Sequence, residues 1–147
     1  MAKFDELDED IQEIFDVVIG MTDLEHIVKI KIIGNDRLKE IGKVQKTNDL
    51  TKYLSDDVDI VVIVNQLIFG QLPRDMQDMV ALELITYIGF DSEKDRVIIA
   101  KPDINTFSTI LKKYGYESYE RMVLSIKSLY DKKQNDENAG DAQPDEE

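Results

Sequence analysis

Asp59-Ile60-Val61-Val62-Ile63-Val64 is the strongest strand signal in the chain. Five apolar residues follow the aspartate without alternating with polar ones, so both faces of the strand should be buried. A strand that is buried on both faces lies in the interior of a sheet. The stretch therefore predicts the central strand of the fold.

The residues before this strand predict two further strands. His26 to Ile33 alternates apolar residues with lysines, as a strand with one wet face does. Gly34-Asn35-Asp36 is a turn signal, and Arg37 to Lys46 is expected to return as a second strand, although Gly42 weakens it. Thr47 to Asp57 reads as a connection with one helical turn.

Helical spacing marks the rest of the chain. An acidic N-terminal helix is predicted over residues 4–19, and Gly20 would end it. Pro73 suits the first turn of a helix that runs to about Ile88. Arg96 to Ala100 predicts a short strand. Two last helices are expected, the first capped by Asp103 and ended by Gly115, the second capped by Ser118.

The predicted element order is α-β-β-β-α-β-α-α. This order predicts an α+β fold, a small mixed β-sheet packed by helices, in a single domain over residues 1–133. Residues 134–147 hold little that could be buried, and they predict a disordered acidic tail.

Charge and composition exclude several classes of protein. The net charge is −13, and the negative charge is concentrated at the two ends of the chain. Residues 1–25 hold nine acidic residues and one basic residue, and residues 134–147 hold six acidic residues and no basic one. Nucleic acid and anionic membranes would repel such a chain, so direct nucleic acid binding is not expected. The absence of cysteine, of a signal peptide and of an apolar run of about 20 residues predicts a soluble cytoplasmic protein.

The helix after Pro73 contains Leu82-Glu83-Leu84-Ile85-Thr86. A zinc peptidase would have H-E-x-x-H at these positions, because histidines four residues apart place two ligands on one helical face beside a glutamate base. Leucine cannot bind zinc, and threonine is a very poor ligand. The chain contains one histidine, His26, which is expected to be an ordinary surface residue.

The sequence around this helix resembles the small metallopeptidases encoded by tailed bacteriophages. The resemblance covers about residues 25–116 and includes Gly89-Phe90, Val97-Ile98-Ile99-Ala100, the D-x-x-x-F run Asp103–Phe107 and Tyr114-Gly115. It implies a minimal zincin-like core. Of the family's functional positions Glu83 alone carries over. The third zinc ligand would fall near Lys101-Pro102-Asp103, where only Asp103 could coordinate a metal.

Other candidate sites are weaker. The run Asp91–Asp95 could begin a calcium loop, but the sixth position is Arg96 instead of glycine and the twelfth is Pro102 instead of glutamate, so a solvated loop is expected. A magnesium site formed by Glu83, Asp91 and Asp103 is open as an alternative, since carboxylates suit hard cations. No serine lies in a nucleophile motif.

These observations predict a catalytically inactive phage metallopeptidase-like protein that acts as a protein-binding module, with Glu83 vestigial and with no catalytic residue, metal or cofactor. The expected partner is a host or phage protein, contacted through the acidic ends. One alternative is an acidic DNA-mimic inhibitor, for which only the first helix would offer rigid carboxylates. The other is a residual hydrolase that uses carboxylates and a divalent ion.

Overall fold

The computed structural model describes residues 4–100 and 107–142. It is a mixed α+β structure, as predicted. The strands are β1 (Asp5–Glu6), β2 (Ile30–Gly34), β3 (Gly42–Lys46), β4 (Ile60–Val64), β5 (Ile88–Asp91) and β6 (Arg96–Ile99). The helices are α1 (Glu9–Gly20), α2 (Asp49–Leu54), α3 (Gln66–Phe69), α4 (Arg74–Thr86), α5 (Ser108–Tyr114) and α6 (Tyr116–Ala142).

Strand β4 lies inside a four-stranded mixed sheet of order β1-β2-β4-β3, which confirms its predicted central position. It pairs in parallel with β2 and antiparallel with β3. The strand predicted to return after Gly34-Asn35-Asp36 is present as β3, but it pairs with β4 and not with β2. After β2 the chain crosses the end of β4, where the Asn35 N–H bonds Val64 O at 2.9 Å, and it returns on the far side. The fully apolar β4 is thereby paired on both edges.

The main core lies on the face of the sheet that α1 and α4 cover. Alternate residues of β4 enter this core, and Phe15 of α1 packs against Phe69 with ring centroids 5.7 Å apart. On the opposite face β2 and β3 expose Lys31, Lys43 and Gln45. One face of the sheet is consequently closed by helices, while the other is partly open to solvent.

The N-terminal helix begins at Glu9, five residues later than predicted. Asp5 and Glu6 instead form the edge strand β1 against the end of β2. The Gln66 side chain holds this extended start: its Oε1 accepts from Asp8 N at 2.7 Å and its Nε2 donates to Glu6 O at 3.2 Å. Contacts distant in sequence thus override the acidic helix-start signal.

The segment after α4 forms an antiparallel hairpin of β5 and β6, which is a second, two-stranded sheet. Strand β6 lies beside β3, the edge strand of the larger sheet. His26 does not begin a strand as predicted. It is the last residue of a 3₁₀ turn at Asp23–His26, and its side chain is exposed.

The C-terminal helices differ from the prediction at both ends. Helix α5 begins at Ser108, while the predicted cap, Asp103, lies outside the described residues. Gly115 ends α5 as predicted, with a φ of 87° that favours glycine. Helix α6 begins at Tyr116, before Ser118, and continues to Ala142, nine residues past the predicted boundary at 133. Adding residues to an existing helix is much easier than nucleating one, which explains a helix in so polar a stretch.

Candidate functional site

The degenerate motif lies in the last turns of α4. Leu84 and Ile85 are buried, and Leu82 packs against the core. The Thr86 hydroxyl donates to the backbone oxygen of Leu82 at 2.6 Å. Of the two positions that a zinc-peptidase motif would fill with histidine, one thus holds an apolar side chain and the other a hydroxyl that bonds its own helix.

Helix α4 forms one wall of a cleft of about 330 Å³, and the edge strand β3 forms another. The cleft is lined by Glu40, Ile41, Gly42, Lys43, Val44, Glu83, Leu84, Tyr87 and Ile99. Because successive helix residues are about 100° apart, Glu83, Leu84 and Tyr87 share one face of α4. Leu82 and Thr86 fall outside the lining, so of the three motif positions 82, 83 and 86 only Glu83 reaches the cleft.

The backbone of β3 approaches α4 closely at Gly42. A Cβ built at Gly42 would overlap Leu84 Cδ1 and lie 2.9 Å from Cδ2. Glycine at this position lets the strand lie against the buried leucine. The sequence had suggested that Gly42 weakens the strand, and the structure instead uses it as the contact point with α4.

The cleft is acidic around a single hydroxyl. Burial raises the pKa of Tyr87, and the negative charges of Glu83 and Glu40 raise it further because each disfavours a nearby phenolate. Lys43 is the one basic residue among the described lining residues, and its side chain points to the face of the sheet opposite α4. Carboxylates from the loop before β3 and from α4 therefore act on the same point in the cleft.

The outer edge of β3 carries backbone groups that bond no strand among residues 4–100 and 107–142. The bonds from Asn65 N to Ile41 O (2.9 Å) and from Thr47 N to Asp59 O (3.1 Å) place odd-numbered residues in the hydrogen-bonded pairs with β4. In an antiparallel ladder the alternate residues turn their N–H and C=O groups away from the partner strand. Gly42, Val44 and Lys46 thus direct these groups outward, and the first two line the cleft.

Among the described residues, the other predicted site residues are not grouped around a metal site. Asp91 Oδ1 accepts from the backbone N–H groups of Glu93 and Lys94, at 3.1 and 3.3 Å, and so closes the β5–β6 turn. Asp103 lies outside the described residues. Within the described part of the chain, no three His, Cys, Asp or Glu side chains are grouped as a metal site.

The sequence analysis missed the polar contacts of Asn65. This buried residue caps α3 through Oδ1, 3.1 Å from Ile68 N. Its Nδ2 donates to Leu38 O (3.0 Å) and to the Tyr130 hydroxyl (3.1 Å), which itself donates to Leu38 O and Glu40 O. These hydrogen bonds connect α6 and the loop that leads into β3 to the end of β4. An asparagine directly after a fully apolar strand was the available signal.

Two other cavities flank this region. One of about 670 Å³ lies between the loop and α6 and is lined by Arg37, Leu38, Lys39, Tyr130, Lys133 and Gln134. The other, of about 370 Å³, lies near the opposite end of β3, and its basic and acidic residues are equal in number. Neither includes a residue of the motif.

Comparison with known proteins gives no match: no protein-family model fits the sequence, and no curated protein or solved structure matches the chain. In the described part of the chain, no helix is both long enough and apolar enough to cross a membrane.

Proposed function

We propose that this protein is a binding module that holds a segment of a protein partner in the cleft between β3 and α4. It would be a phage metallopeptidase-like domain that works without a catalytic metal. The observation that carries the proposal is that Gly42 and Val44 line the cleft beside Glu83, with outward N–H and C=O groups that bond no strand among residues 4–100 and 107–142. Main-chain groups that no strand uses can hydrogen-bond a segment of a partner protein, although β6 also lies beside β3.

The chemistry of the motif positions favours binding over hydrolysis. Leu82 supplies no ligand atom, and the Thr86 oxygen is engaged within the helix. Zinc sites in proteins use histidine, cysteine or carboxylate ligands, and catalytic sites need three of them. Glu83 thus lies in the cleft without the imidazoles that would make it a base for metal-bound water.

One observation favours the DNA-mimic alternative as a second candidate. Helix α1 packs on α4 and exposes Glu9, Asp10, Glu13 and Asp16, which gives a rigid row of carboxylates. A DNA mimic would act through this helix and not through the cleft. Duplex DNA added in excess would then displace the captured partner.

The proposal is tested by capture from a bacterial lysate with the tagged full chain, at low and high salt, read by mass spectrometry. The cleft variant is Val44→Pro, which removes an outward N–H and leaves the ladder with β4 intact. Ser92→Pro is the matched control, because Ser92 is exposed in the β5–β6 turn, at a position where proline is tolerated.

We expect a stoichiometric partner that the parent chain and Ser92→Pro capture equally and that Val44→Pro loses. Circular dichroism checks that both variants fold. Equal capture by all three chains would contradict the proposal. Loss of the partner on adding duplex DNA, with Val44→Pro unaffected, would support the DNA-mimic alternative instead.

A further inference from the structure

We propose that the cavity between α6 and the loop leading into β3 binds a small phosphate monoester, with its phosphate group between Lys39 and Lys133. The apolar part of the ligand would lie against Leu38 and the ring of Tyr130. This cavity shares no lining residue with the cleft between β3 and α4, so it gives the protein a second binding site that is independent of the first.

The cavity has the size and the apolar wall of a small-molecule site. Its volume is about 670 Å³, twice that of the cleft between β3 and α4, and small-molecule sites commonly enclose about 300–1,000 Å³. Leu38 and Tyr130 are half-buried in the lining. The Tyr130 hydroxyl is engaged with Asn65 and with two carbonyl groups of the loop, so Tyr130 offers the cavity its ring.

The charge of the cavity is positive. Among the residues whose side chains the structure describes, the lining contains three basic residues, three uncharged ones and no acidic one: Arg37, Lys39, Lys133, Leu38, Tyr130 and Gln134. The acidic residues of the loop are engaged elsewhere. Asp36 Oδ1 accepts from Leu67 N at 3.1 Å, and Glu40 lines the cleft between β3 and α4. A phosphate monoester carries up to about two negative charges near neutral pH, which matches Lys39 and Lys133.

Lys133 is positioned by a neutral partner. Its Nζ donates to the backbone oxygen of Asp36 at 2.6 Å, and a carbonyl group orients the ammonium group without neutralising its charge. An ammonium group has three N–H donors, and within the described residues this bond uses one of them, which leaves two for phosphate oxygens. The Tyr130 hydroxyl donates to Leu38 O at 3.0 Å, so the two walls of the cavity are bonded to each other.

The overall charge of the chain weakens this attraction without removing it. Lys39 and Lys133 belong to residues 26–133, which hold 16 acidic and 17 basic residues. The six acidic residues of 134–147 would repel an anion at long range, and salt screens such repulsion beyond about 10 Å at 0.1 M. The attraction within the cavity acts over a shorter distance and is screened less.

The test measures binding to the full chain by isothermal titration calorimetry at about 0.1 M salt. The probes are phenyl phosphate, inorganic phosphate and phenol. We expect phenyl phosphate to bind with a Kd below about 1 mM and about tenfold more tightly than inorganic phosphate, because inorganic phosphate has no apolar part to contact the wall. Phenol should not bind measurably, because it lacks the charge.

Variants test the two lysines. Lys39→Gln and Lys133→Gln should each weaken the binding of phenyl phosphate about fivefold, whereas Lys133→Arg, which keeps the charge, should retain most of it. Lys132→Gln is the matched control, because Lys132 is exposed on the same helix, about 100° around from Lys133 and outside the lining. Circular dichroism checks that all four variants fold.

The contrary results are distinct. Phenyl phosphate that binds equally to the parent chain, Lys39→Gln and Lys133→Gln would lie elsewhere, and an equal loss in Lys132→Gln would show unspecific attraction by charge; either result would overturn the proposal. Equal affinity for phenyl phosphate and inorganic phosphate would overturn the apolar contact. Binding of no probe at about 10 mM would overturn the site. Capture of a protein partner through the cleft is judged separately.

Discussion

Asn65 is the residue on which the loop before β3 depends. Its amide is fully buried at the end of the central strand, and it bonds the start of α3, the loop carbonyls and Tyr130. Buried polar groups are expensive to leave unpaired, so a side chain with both a donor and an acceptor is required there. The loop that carries Glu40 into the cleft is held in place by these bonds.

Replacing Asn65 by alanine should lower the free energy of unfolding by about 3 kcal/mol, because a helix cap and several buried hydrogen bonds are lost together. Asn48→Ala is the matched control, since Asn48 caps α2 in the same way, 2.7 Å from Thr51 N, but is exposed. We expect Asn48→Ala to lower the free energy of unfolding by about 1 kcal/mol. Urea unfolding measures both, and equal losses would show that the buried bonds contribute little.

Tyr130 should make the stability depend on alkaline pH. Burial raises the pKa of its hydroxyl from 10.0 to about 12, against the hydrogen bond from Asn65, and the charge of Glu40 adds to the rise. The folded state thus favours the neutral phenol. The contribution of the neutral Tyr130 hydroxyl to the free energy of unfolding is complete below pH 10, and it is lost as the pH rises through about 12.

Urea unfolding between pH 9 and 11.5 should show a smaller alkaline loss of stability in Tyr130→Phe than in the parent chain. Absorbance at 295 nm should show that the variant lacks a tyrosine that titrates at about pH 12. The other five tyrosines are present in both proteins, so the comparison isolates this hydroxyl. Identical pH profiles would contradict the assignment.

At the scale of elements, the contact of β3 with α4 sets the width of the cleft. Gly42→Ala should lower the free energy of unfolding by about 1–2 kcal/mol, because the added methyl group overlaps Leu84. Leu84→Ala alone should lower it by about 2–4 kcal/mol through a cavity. In the double variant the alanine methyl enters that cavity, so the combined loss should be smaller than the sum of the single losses.

Gly20→Ala is the control for these variants, because a Cβ there would lie 3.8 Å from Glu25 Oε2, an ordinary contact. We expect Gly20→Ala to change the free energy of unfolding by no more than about 0.5 kcal/mol. Additive losses in the Gly42 and Leu84 pair would show that the two residues do not constrain each other. Urea unfolding gives all four values.

At the scale of the whole molecule, charge is concentrated at the two ends of the chain. Deleting residues 134–147 removes six carboxylates and should weaken partner capture at low salt, with a smaller effect at high salt, because screening shortens the reach of charge. A full-length chain with those six acids changed to Asn or Gln is the control for length. Capture that is equal with and without the acids would show that the tail takes no part.

Several features of this fold could be predicted from the sequence. The apolar run at Ile60–Val64 determined the central strand, because five residues without a polar position cannot lie at a solvent-exposed edge. Pro73, Gly115 and the helical spacing of apolar residues placed most of α4 and the end of α5. The α+β class followed from these elements. The interpretation of Glu83 as vestigial stays a prediction.

Strand order, by contrast, was decided only in the tertiary structure. The turn signal at Gly34-Asn35-Asp36 is compatible with a hairpin or with a crossing, and pairing β4 on both edges selects the crossing. The start of α1 likewise depends on Gln66, about sixty residues away in sequence. Local patterns record which residues prefer to be buried. Which strands become neighbours, and whether Gly42 meets Leu84 to form a cleft, depends on long-range packing that no single segment encodes.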